Sequence, residues 1–328
     1  MKICIVKLSA LGDIVHAMVV LQFLKEKIPN SQIDWIVEEG FKSILENSPH
    51  IDNILTVNLK SLKSNKLNIF KEFKQLKKYS QNNYDLLIDA QGLLKSAIAS
   101  KIIGAKKIIG FSKESIRERL ASSFYDETVS IGYEKNVIER NIKVICSALN
   151  VNVDRQDILN KDAFLYSSHH EKNNTDIIFV VGASRENKIY PKEKFLELAL
   201  ELKAYKIEVI WASKFEKDVA LFLEENAENV KVCDKMSLDA LKNKIKNTKL
   251  VIGGDTGPTH MAWGLNVASI AIFGNTPEYR NTYITEINQV VKSNSKVNPL
   301  KIDKNDFSIG DIEVKEIVDL ADELLSKV

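Results

Sequence analysis

From its first residue to about Gly110, the chain repeats one pattern, a short β-branched apolar run followed by a longer stretch with apolar positions every three or four residues. The apolar runs Lys2–Lys7, Ile33–Val37, Ile54–Val57, Leu86–Ile88 and Lys107–Gly110 read as strands, and stretches such as Ile14–Lys27 and Leu93–Ile103 as helices. Strands alternating with helices long enough to cross over them predict a parallel sheet with helices on both faces. A helix over roughly Glu134–Leu149 follows, and then the polar stretch Asn150–Thr175, which lacks a sustained period and marks a domain junction. The grammar then restarts. Ile177–Val181, Glu208–Trp211, Val230–Val232, Leu250–Ile252 and Ser269–Phe273 read as strands, Pro191 opens one helix, and another begins near Thr256. The expected architecture is α/β, with two Rossmann-like doubly wound domains, residues 1–167 and 168–328, facing a cleft, the arrangement known among glycosyltransferases as GT-B. The amphipathic segment Val314–Leu325 closes the chain with no strand after it, so a return across the junction onto the first domain is open to it.

Composition alters this picture little. With 328 residues and 45% apolar content, two ordinary cores can be filled, and no apolar run approaches the roughly 18 residues of a membrane span. The N-terminus enters a strand directly, which fits a soluble, unprocessed protein. Cys4, Cys146 and Cys233 lie far apart in apolar contexts, as buried thiols of a reducing cytoplasm do. Charge is more telling in its distribution than in its total. The net value is +2, yet between Lys60 and Ser80 the lysines at 60, 63, 66, 71, 74, 77 and 78 face a single acid, Glu72. A solvated helix face and a patch for an anionic substrate or membrane surface are both consistent with that run.

Two motifs carry chemistry. Lys7-Leu8-Ser9-Ala10-Leu11-Gly12-Asp13 joins the first strand to a helix, at the sheet edge where open α/β folds bind ligands. A carboxylate there serves either as a helix cap or as a general base that takes a proton from an attacking hydroxyl. No G-x-G-x-x-G follows this strand, which argues against a dinucleotide-dependent oxidoreductase. The second motif is Gly253-Gly254-Asp255-Thr256-Gly257-Pro258-Thr259-His260. Its small residues let backbone N–H groups approach a diphosphate at a helix start, although the same composition also suits a plain strand-to-helix turn. The chain has no Asp-x-Asp, the short motif with which many sugar-nucleotide enzymes hold a divalent ion, so no metal and no cofactor are expected. Ser184, Arg185 and Lys188 follow the first strand of the second domain and suit phosphate contacts. Glu216 suits a ribose or a helix cap, and Met236 an adenine face or core filling. His50, His169 and His170 lack metal-ligand spacing.

Together, Lys7–His16, Val37-Glu38-Glu39-Gly40-Phe41, Tyr84–Ser96, Arg117–Tyr125, Lys235–Leu238 and Asp255–His260 resemble blocks, in the same order, of the lipopolysaccharide heptosyltransferases. Glu38-Glu39-Gly40 and Asp89-Ala90-Gln91-Gly92 resemble the heptosyltransferase I branch. The resemblance implies an inverting, metal-independent GT-B enzyme that moves L-glycero-D-manno-heptose from ADP-heptose to the first Kdo of Kdo-lipid A. It would work in the cytoplasm, peripheral on the inner membrane, without nucleic acid. It also implies Asp13 as catalytic base. Ser184 and Lys188 would contact phosphate, Glu216 ribose and Met236 adenine. Asp255, Thr256, Gly257 and His260 would form the diphosphate and heptose pocket, and Lys60, Lys63 and Arg117 would be acceptor contacts. The chain departs from the family at Ala183-Ser184, where two threonines are common, and at Lys60, Ser61 and Lys63, where arginines are. A later heptosyltransferase adding heptose to heptose, or a nucleotide-sugar-binding protein without turnover, are the alternatives.

Overall fold

The computed structural model describes residues 1–63, 65, 67–171 and 174–327, and for Lys63 the backbone alone. The chain divides into two compact units, the first Met1–Tyr166 and the second beginning at Ser167, within the polar stretch that breaks the sequence pattern.

In the first unit, β1 (Lys2–Val6), β2 (Gln32–Glu38), β3 (Asn53–Val57), β4 (Tyr84–Asp89), β5 (Ala105–Phe111) and β6 (Glu127–Val129) form one sheet in the order β3-β2-β1-β4-β5-β6. Its strand pairs are all parallel. In the second, β7 (Ile177–Val180), β8 (Ile207–Ile210), β9 (Val230–Val232), β10 (Leu250–Gly254), β11 (Ala268–Phe273) and β12 (Asn288–Lys292) are ordered β12-β11-β10-β7-β8-β9, again parallel throughout. Counted within each unit, both orders read 3-2-1-4-5-6, the Rossmann arrangement. The order reverses between the first and fourth strands, β1 beside β4 and β7 beside β10. The loops leaving those strands diverge there and leave a crevice at the carboxyl edge.

Strand composition explains the layering. Ile3, Cys4, Ile5 and Val6 of β1 are all buried, as are Ile177, Ile178, Phe179 and Val180 of β7. Near-continuous apolar runs of this kind belong to sheets covered on both faces. β6 and β12, absent from the sequence reading, are edge strands. Glu127–Val129 has only three residues, and Asn288–Lys292 is fully buried only at Asn288 and Val291. The closing helix Val314–Leu325 lies in the core of its own unit, where Ile317, Ala321 and Leu324 pack with Phe195, Leu198, Ile252 and Ile270. All three cysteines are free and buried, and no helix among the described residues is long and apolar enough to cross a membrane.

Candidate active site

At the crevice of the second unit stands Asp255, just past β10. Lys188, from the turn Glu186–Lys188 after β7, places Nζ 2.7 Å from its Oδ2 and 3.0 Å from its carbonyl oxygen. His260 Nε2 stands 3.0 Å from Oδ1. Thr276 Oγ1 and Asn281 Nδ2 donate to Oδ2 at 3.0 and 3.1 Å. Burial pushes the Asp255 carboxyl up, but the Lys188 charge and the His260 hydrogen bond outweigh it and hold the group well below the usual carboxylate range. Asp255 is thus a buried, ionised hub that fixes a lysine and a histidine. An ammonium carries three donors, and those two contacts to Asp255 leave one for an anion at the crevice.

The helix Gly257–Gly264 begins at this hub, with Thr256 as its N-cap and its first hydrogen bond from His260 N to Thr256 O. The N–H groups of Thr256, Gly257 and Thr259 precede that bond, and Pro258 contributes none, so the helix start presents donors and a positive dipole end. Gly253 is required sterically. It pairs with Val180 on β7, and a Cβ at 253 would lie 2.5 Å from Val180 Cβ and 2.8 Å from its carbonyl oxygen.

Of the two roles that the sequence left open for it, Glu216 shows the helix cap in the structure. Its Oε2 accepts from Ala212 N and Ser213 N at 2.6 and 3.2 Å, and Ser213 Oγ accepts from Glu216 N at 3.2 Å, a capping box for the helix Lys214–Asn226. Its other oxygen lies over Gly182, only 2.3 Å from where a Cβ would stand, at the carboxyl end of β7. Ser184 is exposed on the loop after β7, outside the Asp255 cluster. Met236 is half-buried just before the helix Leu238–Lys246, which does not favour core filling. Beside it in the chain, Lys235 places its ammonium 5.9 Å from the Trp211 ring centre, and Lys217 stands 5.0 Å away. The Trp211 indole is itself pinned by donation to Cys233 O at 2.7 Å.

In the first unit the crevice is built around the loop after β1. Gln91 Oε1 accepts from Leu8 N and Ser9 N at 2.9 and 3.0 Å. Buried Lys7 donates to Ala90 O and Asn141 Oδ1 at 2.9 and 3.2 Å. These contacts tie the loops after β1 and β4 together. Asp89 supports them from below: its Oδ1 accepts from Gln91 N and Gly92 N, and its Oδ2 from the hydroxyls of Ser96 and Tyr125. Burial nevertheless pushes the Asp89 carboxyl up. Asp13 lies in the first turn of the helix Leu11–Met18 and accepts from Ala10 N at 3.1 Å through Oδ2. It therefore closes the helix start from inside, as the third helical residue and not as the N-cap.

The basic residues read as acceptor contacts sit on separate loops. Exposed Lys60 places its ammonium 4.2 Å from the Phe41 ring centre, and its N–H stands 3.4 Å from Glu38 Oε2. Exposed Arg117 lies 5.8 Å from the Tyr133 ring centre. The Lys63 side chain lies outside the described residues. Sequence reasoning missed Thr276 and Asn281 on the donor side and the bracing role of Gln91. The only signal at Thr276 was the Gly274-Asn275-Thr276-Pro277 turn directly after a buried strand.

The family model for glycosyltransferase family 9 (heptosyltransferase) matches residues 70–306. The chain belongs to this family. A lipopolysaccharide heptosyltransferase 1 of Campylobacter coli is 38% identical to it, covering 99% of both chains. The Pseudomonas aeruginosa protein of the same name is 29% identical, covering 86% of this chain and 81% of that one. Among solved structures, the heptosyltransferase WaaC of E. coli with ADP-2-deoxy-2-fluoro heptose superposes with a TM-score of 0.82 at 25% identity, over 98% of this chain and 99% of that one. WaaC with ADP gives a TM-score of 0.84 at 24% identity, over 99% and 100%. The two Rossmann-like units are therefore those of a GT-B glycosyltransferase, and the enzyme is a heptosyltransferase. The family match begins beyond Asp13 and Lys60 and spans the whole Asp255 cluster.

Proposed function

We propose that this heptosyltransferase transfers L-glycero-D-manno-heptose from ADP-heptose to the first Kdo of Kdo-lipid A, with inversion at the anomeric carbon and without a metal ion. The observation that carries the donor side is the Lys188–Asp255–His260 cluster at the start of the helix Gly257–Gly264. A fixed ammonium and converging N–H groups supply the charge stabilisation that a departing ADP requires. Glu216 accepts the ribose hydroxyls over Gly182, Met236 lies against the adenine, and Ser184 donates to phosphate. Thr256, Gly257 and His260 line the diphosphate and heptose pocket.

On the other side, Asp13 takes the proton of the attacking Kdo hydroxyl as its oxygen displaces ADP from the anomeric carbon in one step, and a single displacement inverts the configuration. Lys60, Lys63 and Arg117 attract the carboxylates and phosphates of the acceptor. The names of the WaaC complex and of the Campylobacter coli and Pseudomonas aeruginosa relatives favour this donor and this step in the series. A lipid-borne acceptor places the enzyme in the cytoplasm, on the surface of the inner membrane.

The test is to incubate the protein with ADP-heptose and Kdo-lipid A, with and without EDTA, and weigh the product. A gain of one heptose under both conditions is expected. No gain, or a gain only on an acceptor that already carries heptose, would overturn the acceptor assignment. Loss of transfer in EDTA with rescue by Mg²⁺ would overturn the metal-free account.

A further inference from the structure

The helix Asn68–Tyr79 buries one side and leaves an unusual remainder. Glu72, Leu76 and Tyr79 face the sheet, with Glu72 Oε2 accepting from Asn58 N at 2.7 Å and the Tyr79 hydroxyl donating to Thr56 O at 2.8 Å. At about 100° per residue, Ile69, Phe73 and Phe70 fall together on one outer flank and Lys74, Lys78 and Lys71 on the next, with Lys77 between the aromatics. The apolar flank is open: Leu67 is 75% exposed, Phe70 75%, Ile69 54% and Phe73 48%. Elsewhere among the described residues such side chains come singly along the chain, as at Leu120, Leu159 and Leu300, which is ordinary for a protein surface. Here four fall within seven residues, and the one acid of the helix is buried beneath them.

We infer that this face is a membrane-docking surface, with Leu67, Ile69, Phe70 and Phe73 entering the headgroup region of an anionic phospholipid bilayer and Lys71, Lys74, Lys77 and Lys78 meeting its phosphates. The charge identifies the occupant. Four exposed lysines with no exposed carboxylate on the same helix complement an anionic surface, and aromatic side chains flanked by lysines are the composition that settles at a bilayer interface. A second copy of this chain would set the lysines against lysines. The helix leaves the carboxyl edge of the first sheet, after β3 and Lys60, so its most apolar end lies at the edge that carries Asp13. The inference rests on reading the acceptor as a lipid-anchored sugar, and it adds how the enzyme reaches that lipid.

The experiment uses the full chain in co-sedimentation with vesicles of phosphatidylglycerol and phosphatidylethanolamine, and with vesicles of phosphatidylcholine alone. Wild type should partition to the anionic vesicles and, at equal lipid, at least tenfold less to the neutral ones. Phe70→Asp with Phe73→Asp, and separately Lys71→Glu with Lys74→Glu and Lys78→Glu, should each lower partitioning about tenfold or more. The melting temperature should stay unchanged, because these side chains are exposed. Phe70→Trp should shift its emission to the blue on anionic vesicles, which attraction by charge alone would not cause. Equal partitioning of wild type and variants, no emission shift, binding only when the vesicles contain Kdo-lipid A, or a dimer in sedimentation velocity that the aspartate variants dissociate would each overturn the inference. Transfer to a water-soluble Kdo-bearing acceptor should be the same in all variants. Its absence in wild type would instead count against the proposed reaction.

Discussion

Asp13, the proposed base, also closes a helix start. Its Oδ2 already accepts from Ala10 N, and its other oxygen is the one that can receive a proton. Asp13→Asn keeps an acceptor for Ala10 N, so the fold and ADP-heptose affinity should persist while kcat falls by roughly 10²–10⁴. Near-normal turnover at saturating substrate would reduce Asp13 to a helix-start residue. For Lys188 the expected signature lies in binding: Lys188→Ala should weaken ADP-heptose by about 1.5–3 kcal/mol, the scale of a charged hydrogen bond. Calorimetry reads this, and acceptor KM should barely move. Because the Asp255 carboxyl is held below its unfolded value, its contribution to stability is full above the ordinary carboxylate range and is lost only as pH falls through the depressed folded value. Asp255→Asn should therefore cost stability at pH 7, and that cost should begin to shrink only as pH drops below the ordinary carboxylate range, as urea titrations above and within that range would show. Asp255 was legible in the sequence because it directly follows a buried strand, and Lys188 because it lies on the loop that leaves one. Their partners Thr276 and Asn281 were not, since they come from a different loop and only folding brings them to the same carboxylate.

Among elements, the central strands read most clearly. β1, β7 and β10 are apolar over nearly their whole length, because helices cover both faces. The edge strands carry no such signature: β3 and β9 were still legible as short β-branched runs, whereas β6 and β12, which begin on the polar residues Glu127 and Asn288-Gln289, were not. The central pair of the second sheet also has a steric requirement that two glycine variants should separate. At Gly253 an added methyl meets Val180 Cβ and the Val180 carbonyl oxygen, and backbone cannot step aside. Gly253→Ala should cost about 1–3 kcal/mol of stability, as overpacking does, read as a lower urea midpoint. At Gly182 the obstacle is the flexible end of Glu216. Gly182→Ala should lose little more than the capping box, about 0.5–1 kcal/mol, but should weaken nucleotide binding by displacing that carboxylate. If both variants lost stability equally and bound ADP alike, Glu216 would have no part in the donor site.

Over the whole molecule, charge is divided unequally: residues 1–165 hold 24 Lys/Arg against 19 Asp/Glu, which leaves a net −3 for the rest of a chain whose total is +2. The excess belongs to the unit proposed to meet the acceptor. Lys60→Ala with Lys63→Ala should raise KM for Kdo-lipid A more at low salt than at high, because exposed lysines act through screened attraction. Donor affinity should stay put, and an unchanged salt dependence would leave acceptor recognition to Arg117. The shared 3-2-1-4-5-6 order gives this division of labour a consequence for how such an enzyme can diversify. In each unit the loops after the first and fourth strands are braced against one another, Gln91 to the loop of Leu8 and Ser9 in one and Lys188 to Asp255 in the other. Loops off other strands are held elsewhere: the described bonds of the one carrying Lys60 include Asn58 N to Glu72 Oε2 and Lys60 N to Glu38 Oε2, and Arg140 holds Ser115 O of the loop after β5. A library confined to the loops after β3 and β5 should therefore yield catalysts that accept new sugars while remaining loyal to one donor, and a library at the braced loops should yield mostly inactive protein.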